Sequence, residues 1–115
     1  MLLSSMDKER RTTLRVPFVA HAEITEVGAS VSILARVSDI SRDGCYVDLR
    51  SALPQGTSVQ IRIRTATEIF EASAVVGYTH PHLGMGLIFS EINSESQAIL
   101  QKWIAFAARA QSDEV

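Results

Sequence analysis

Val59-Gln60-Ile61-Arg62-Ile63-Arg64 alternates apolar with polar or charged side chains and never breaks step. Successive Cβ atoms of an extended chain leave opposite faces, so this spacing is that of a strand with one buried side. The same rhythm recurs on both sides. Upstream, Cys45, Val47 and Leu49 alternate with Tyr46, Asp48 and Arg50. Between these two strands Leu53-Pro54-Gln55-Gly56-Thr57 carries proline and glycine where a turn uses them. Further back, Phe18, Ala20, Ala22 and Ile24 alternate with His21, Glu23 and Thr25. Gly28-Ala29 then punctuates, and Val31, Ile33, Ala35 and Val37 resume, with Leu34 out of step. Period two on both sides of a glycine turn predicts a hairpin.

Downstream, a fifth strand is expected over Glu68 to Tyr78, a loop at His80-Pro81-His82, and a last strand over Leu83 to Phe89. Gly84 and Gly86 inside that strand predict a bulge or a close backbone approach. After Ser90 the period changes. Residues 94–110 lack glycine and proline, and Ile99, Leu100, Trp103, Ile104 and Ala107 fall on one helical face. Ser94 with Gln97 reads as a capping box at the helix start. Six short strands and one helix predict a mainly β protein, an antiparallel barrel with the C-terminal helix over one end.

The chain has 115 residues, 46% of them hydrophobic and 21% charged. That is one soluble domain with a modest core. The expected limits are residues 10–110, between a polar tail at 1–9 and another at 111–115. No apolar run approaches the ~18 residues of a membrane span, and Met1-Leu2-Leu3 is too short for a secretory signal. A single cysteine, Cys45, fits a reducing compartment, so a cytoplasmic location is expected. A net charge of −2 argues against duplex nucleic acid, which needs a basic face.

Two short segments fall outside the packing pattern. Arg10-Arg11-Thr12-Thr13-Leu14-Arg15 puts three of the eleven cations within one short run. Arg11 and Arg15 share a face if the run makes a turn. Guanidinium grips phosphate as a planar fork and pairs with the O6 and N7 acceptors of guanine. A solvated basic tail is the competing reading. The second segment is Asp39-Ile40-Ser41-Arg42-Asp43-Gly44. Two apart on an extended backbone, Asp39 and Ser41 point the same way. A carboxylate accepts from guanine N1–H and its amine, and a hydroxyl does either job. Gly44 allows a positive φ at the end of the turn. Here too a bland reading stands beside the sharp one: Asp39 and Ser41 cap a tight turn.

Taken together and in this order, Arg11-x-x-x-Arg15 and Asp39-x-Ser41-x-x-Gly44 resemble the signature of the PilZ domain family. Gly84 to Phe89 is similar to that family's closing strand, and Pro54-x-Gly56 to the turn before its fourth. The resemblance runs from about Arg10 to Ala107. It implies a six-stranded split barrel with a C-terminal helix, and binding of the bacterial second messenger cyclic di-GMP. By that resemblance Arg11 and Arg15 clamp phosphate and guanine, Asp39 and Ser41 read guanine, and Gly44 shapes the loop. A residue of the type of Arg10 is associated in the family with an intercalated ligand dimer.

The expected mechanism is a disorder-to-order switch. The leader, loose without ligand, wraps onto the barrel when its arginines find phosphate and changes the surface shown to an unidentified protein partner, in motility, exopolysaccharide synthesis or a related bacterial behaviour. A ligand-free adaptor barrel is the alternative. A single-stranded nucleic-acid barrel is disfavoured by the scarcity of aromatics. No cofactor, metal or catalytic role is expected. His80 and His82 lack further ligands at zinc spacing, and no serine or cysteine has a base partner. Cys45 is read as a packing residue. Tyr78, at the end of the fifth strand, could stack on a guanine, but packing at the core or the rim is the favoured reading.

Overall fold

A computed structural model describes residues 14–113. Six strands run β1 (Val16–Glu26), β2 (Ser32–Ile40), β3 (Gly44–Asp48), β4 (Ser58–Arg64), β5 (Ile69–His80) and β6 (Gly84–Ile92), followed by α1 (Ser94–Asp113). All neighbours are antiparallel, and the sheet closes on itself in the order β1-β2-β3-β6-β5-β4. The expected mainly β barrel with a C-terminal helix is therefore the fold.

The alternation seen in the sequence becomes the inside and outside of this barrel. Val59, Ile61 and Ile63 are buried, while Gln60, Arg62 and Arg64 are exposed. Ile24, Val37, Val47, Phe70, Val76 and Met85 fill the same interior. Outside, charges pair across strands: Arg64 with Glu23 at 2.7 Å, Arg62 with Glu71 at 2.8 Å and Arg36 with Asp48 at 3.0 Å. Exposed pairs of this kind contribute little each.

The helix packs on β1 and β5 through buried Leu100, Trp103 and Ala107. The Trp103 ring lies 5.0 Å from Phe18 and 6.2 Å from Phe70. Its indole Nε1–H is not left unpaired, since it donates to Glu68 Oε1 at 2.9 Å. The helix start differs from the capping box expected at Ser94. Asn93 is the cap, its Oδ1 accepting from the Ser96 amide at 2.8 Å. Ser96 instead turns inward, where its Oγ accepts from the Glu71 amide at 3.0 Å and ties α1 to β5. Asparagine and serine are comparable caps, so burial of Ser96 settles which residue precedes the helix. The helix also runs on past Ala110 to Asp113.

Glu68 is held by Lys102 as well as by Trp103, and these two hydrogen bonds push its carboxyl below the ordinary value. A depressed carboxylate stabilises the fold above its unfolded pKa, and that contribution is lost as pH falls through the folded value. Glu68→Gln should therefore melt below the native protein at neutral pH. The gap should narrow on acidification below about 4.5, the ordinary value. Thermal unfolding of both proteins across acid pH measures this, and a gap constant with pH refutes it.

Candidate functional site

Two irregularities in the barrel decide what faces out near Arg15. In β2, Val37 opposes Val47 but Asp39 opposes Tyr46, so Ser38 is an extra residue. In β5, Val76 opposes Leu87 but Tyr78 opposes Gly86, so Gly77 is extra. One inserted residue switches every later side chain to the other face. By plain alternation from Ala74 and Val76, Tyr78 would enter the core. After the bulge it stands on the rim, 38% exposed. Asp39 is likewise turned outward, between buried Val37 and Ile40.

The outer faces of Gly84 and Gly86 are covered by these aromatics. A Cβ on Gly86 would lie 2.2 Å from the Tyr78 ring, and one on Gly84 would lie 2.2 Å from the Val47 carbonyl oxygen and 2.9 Å from the Tyr46 ring. Glycine therefore lets both rings lie flat on β6. Tyr46 and Tyr78 stack at 6.1 Å, and His80 completes the cluster at 5.7 and 5.4 Å. The Tyr46 hydroxyl and His80 Nδ1 are hydrogen bonded at 3.0 Å. Reduced access to water moves the Tyr46 phenol upward. His80 belongs to β5, not to the loop expected at 80–82, whose one unusual residue is His82 at φ 67°.

Arg15 reaches this cluster from the start of β1. One of its terminal nitrogens donates to Asp39 Oδ1 at 3.0 Å and to the Tyr78 hydroxyl at 3.3 Å. The Tyr78 bond, then the Asp39 carboxylate, hold the guanidinium above its ordinary pKa against partial burial. Asp39 and Ser41 do not point together as expected from an extended backbone. Ser41 is buried, and its Oγ accepts from the amides of Asp43 and Gly44, both at 3.2 Å. The backbone closes the same turn, Ser41 N–H donating to the Gly44 carbonyl at 2.8 Å. Ser41 thus shapes the loop that ends β2.

Gly44 does not have the positive φ expected of it. The positive-φ glycines are Gly28 and Gly56. What Gly44 permits is close approach: a Cβ there would lie 2.0 Å from the Leu87 carbonyl oxygen. Behind the turn, Cys45 is fully buried and burial pushes its thiol up to about 12. It is a buried packing residue, as expected.

Between these parts lies an open concavity of about 220 Å³, lined by Arg15, Ser41, Asp43, Gly44, Tyr78 and Ile88 among others. Its walls are mostly apolar, with a guanidinium at the lip, so it suits a flat ring with an anionic group beside it. The structure thus brings Arg15, Asp39, Ser41 and Gly44 to one patch of the rim. Arg10 and Arg11 lie outside the described residues. Tyr46 and His80, which sequence reasoning did not place here, belong to the same patch. Gly77 before Tyr78 was the available signal. Among the described residues no group of His, Cys, Asp or Glu could hold a metal ion, and no helix is long and apolar enough to cross a membrane.

Comparison with known proteins bears on the whole chain. The family model described as PilZ domain matches residues 9–106. No curated protein sequence matches the chain. Among solved structures, the Bacillus subtilis inhibitor of motility MotI/DgrA is 27% identical with a TM-score of 0.72, over 92% of this chain and 53% of its own. The PilZ domain of Escherichia coli YcgR with c-di-GMP is 19% identical with a TM-score of 0.69, over 92% of this chain and 99% of its own. The Borreliella burgdorferi PlzA protein in complex with c-di-GMP is 13% identical with a TM-score of 0.66, over 90% and 44%. The chain spans about half the length of the motility inhibitor.

Proposed function

Because the chain belongs to the PilZ domain family, we propose that it is a cytoplasmic receptor for cyclic di-GMP that signals to a protein partner through its leader. The observation that carries this reading is that Arg15 of one motif lies 3.0 Å from Asp39 of the other, far apart in sequence, and lines the same concavity as Ser41 and Gly44. Relatives whose structures contain c-di-GMP share the barrel. Motility is one output to test, given the inhibitor among the similar structures.

The size of the concavity supports a wrapping leader. At about 220 Å³ it is smaller than the ~300–1,000 Å³ sites that enclose a drug-sized ligand. A cyclic dinucleotide seated there needs a second wall. Arg10 and Arg11, a few residues before Arg15, supply it when the leader folds over. Ordering the leader costs about 1–2 kcal/mol per residue fixed, offset by charge-assisted hydrogen bonds to phosphate. The Arg15–Asp39 contact is half exposed. It is cheap to exchange, which frees the carboxylate for the guanine edge.

Calorimetry should show heat with cyclic di-GMP and none with cyclic di-AMP. Amides of residues 5–16 should exchange more slowly with saturating ligand. Silence in the titration favours the adaptor reading, and unchanged exchange rejects the wrapping leader. Tyr78→Phe keeps the ring and removes the hydroxyl that positions Arg15. It should weaken binding by roughly 2–10-fold, the worth of one such hydrogen bond, and an unchanged affinity removes Tyr78 from the site.

A further inference from the structure

On the outer wall of the barrel the register lines up one row of side chains from five strands. Asp48 of β3 opposes Arg36 of β2, Arg36 opposes His21 of β1, His21 opposes Arg64 of β4, and Arg64 opposes Ile69 of β5. Directly opposed Cβ atoms lie about 4.5–5.5 Å apart, and like charges so placed destabilise a sheet. Here two guanidiniums flank an imidazole, a side chain that can also carry charge, and no acid stands between them. The next row does the opposite. It runs Leu34, Glu23, Arg62, Glu71, with an acid on each side of its arginine. Departures from a local rule concentrate where a site needs them.

Both forks are held in place with donors to spare. Arg36 gives Nε and Nη2 to Asp48 at 3.2 and 3.0 Å, and Arg64 gives Nη2 to Glu23 at 2.7 Å. Among the described residues, Nη1 of Arg36 and Nε and Nη1 of Arg64 meet no acceptor. Beside the row is a depression of about 440 Å³, lined by Val19, His21, Arg36, Arg64, Thr65 and Ala66 among others. No acidic side chain is among its described lining. Val19 is 68% exposed there, and Leu34, on the other side of the row, is 76% exposed.

We propose that this depression docks an acidic segment of a partner protein, one carboxylate side chain lying over Arg36, His21 and Arg64 with an apolar side chain on either side of it. Charge complementarity favours this occupant. A single carboxylate meets only the middle of the row, where the spare donors are. A nucleic acid or a lipid surface would run on over Asp48, Glu23 and Glu71 and be repelled. Spacing agrees. Successive rows are two residues apart, about 6.8 Å, which is also the distance between alternate side chains of an extended peptide. A leucine-x-glutamate-x-leucine segment therefore sets its glutamate on the row and its leucines by Val19 and Leu34. This gives the partner of the receptor reading a chemistry, yet the docking needs no ligand. The concavity lies against β6, three strands from β1 either way round the ring.

The test is an NMR titration of the isotope-labelled full chain with a blocked pentapeptide, leucine-serine-glutamate-serine-leucine. Amide signals of His21, Arg36, Arg64 and Thr65 should shift and saturate. Arg64→Gln and Arg36→Gln should each weaken binding at least about tenfold, the worth of one charge-assisted hydrogen bond. Both side chains are half exposed or more, so neither replacement threatens the fold. Arg62→Gln, in the next row, should change the affinity by less than about twofold. The same peptide with glutamine in place of glutamate should not bind.

A glutamine peptide that binds equally well overturns the carboxylate's role. Equal losses in Arg62→Gln and Arg64→Gln overturn the site, since general charge then accounts for the binding. Inorganic phosphate that shifts the same amides as tightly as the peptide overturns the protein occupant in favour of a free oxyanion. No saturable shift overturns the docking and leaves the cyclic di-GMP reading to its own titration. Peptide binding by a chain that gives no heat with cyclic di-GMP keeps the docking and removes the receptor reading.

Discussion

Arg15→Ala should abolish the heat of cyclic di-GMP binding and leave the barrel folded. The guanidinium is half exposed and its present bonds, to Asp39 at 3.0 Å and Tyr78 at 3.3 Å, are solvent-facing. Removing such a pair costs the fold about 0.2–1 kcal/mol. Against phosphate the same group makes charge-assisted bonds worth about 1.5–3 kcal/mol each. Losing two of them weakens binding by about a hundredfold or more. Arg15→Lys should not rescue it, because an ammonium lacks the planar fork. The measurement is one titration each for native, Arg15→Ala and Arg15→Lys, with circular dichroism to confirm the fold. Heat retained in the alanine variant removes Arg15 from the site.

Gly44→Ala should be strongly destabilising. The added Cβ would meet the Leu87 carbonyl oxygen at 2.0 Å and its carbon at 3.1 Å, and both are backbone atoms. No rotamer relieves that, so β3 must move from β6 just where Gly44 pairs with Ile88. Overpacking of this kind costs about 1–3 kcal/mol and more when backbone must shift. The Ser41 turn, whose hydrogen bonds end on Gly44, should loosen with it. Gly28→Ala is the comparison. Its space is open and only its φ of 92° opposes a side chain, a cost of about 1–2 kcal/mol. Urea unfolding of the two variants ranks them, and a Gly44→Ala midpoint equal to the native one refutes the close-approach account.

Much of this could be read without coordinates because each buried face leaves its period in the chain. The six strands, the helix and the two motifs follow from local spacing, and Arg15 and Asp39 do meet. What could not be read is non-local. The extra residues at Ser38 and Gly77 depend on how neighbouring strands register, and alternation alone sends Tyr78 to the wrong side. The reason for glycine at 44 lies on β6, not in its own φ. The choice of Asn93 over Ser94 as cap depends on Ser96 finding the Glu71 amide.

The ring of strands has a consequence for how such a protein can be approached. In the order β1-β2-β3-β6-β5-β4 every strand already has a neighbour on either hand. The overlaps are partial, since β1 meets β4 only from His21 and β5 meets β4 only as far as Val75, so among the described strands a visiting peptide finds just short stretches of ladder to extend. An associate then reads mainly side chains, and its selectivity follows what the helix and the rim display more than main-chain pairing common to all sequences.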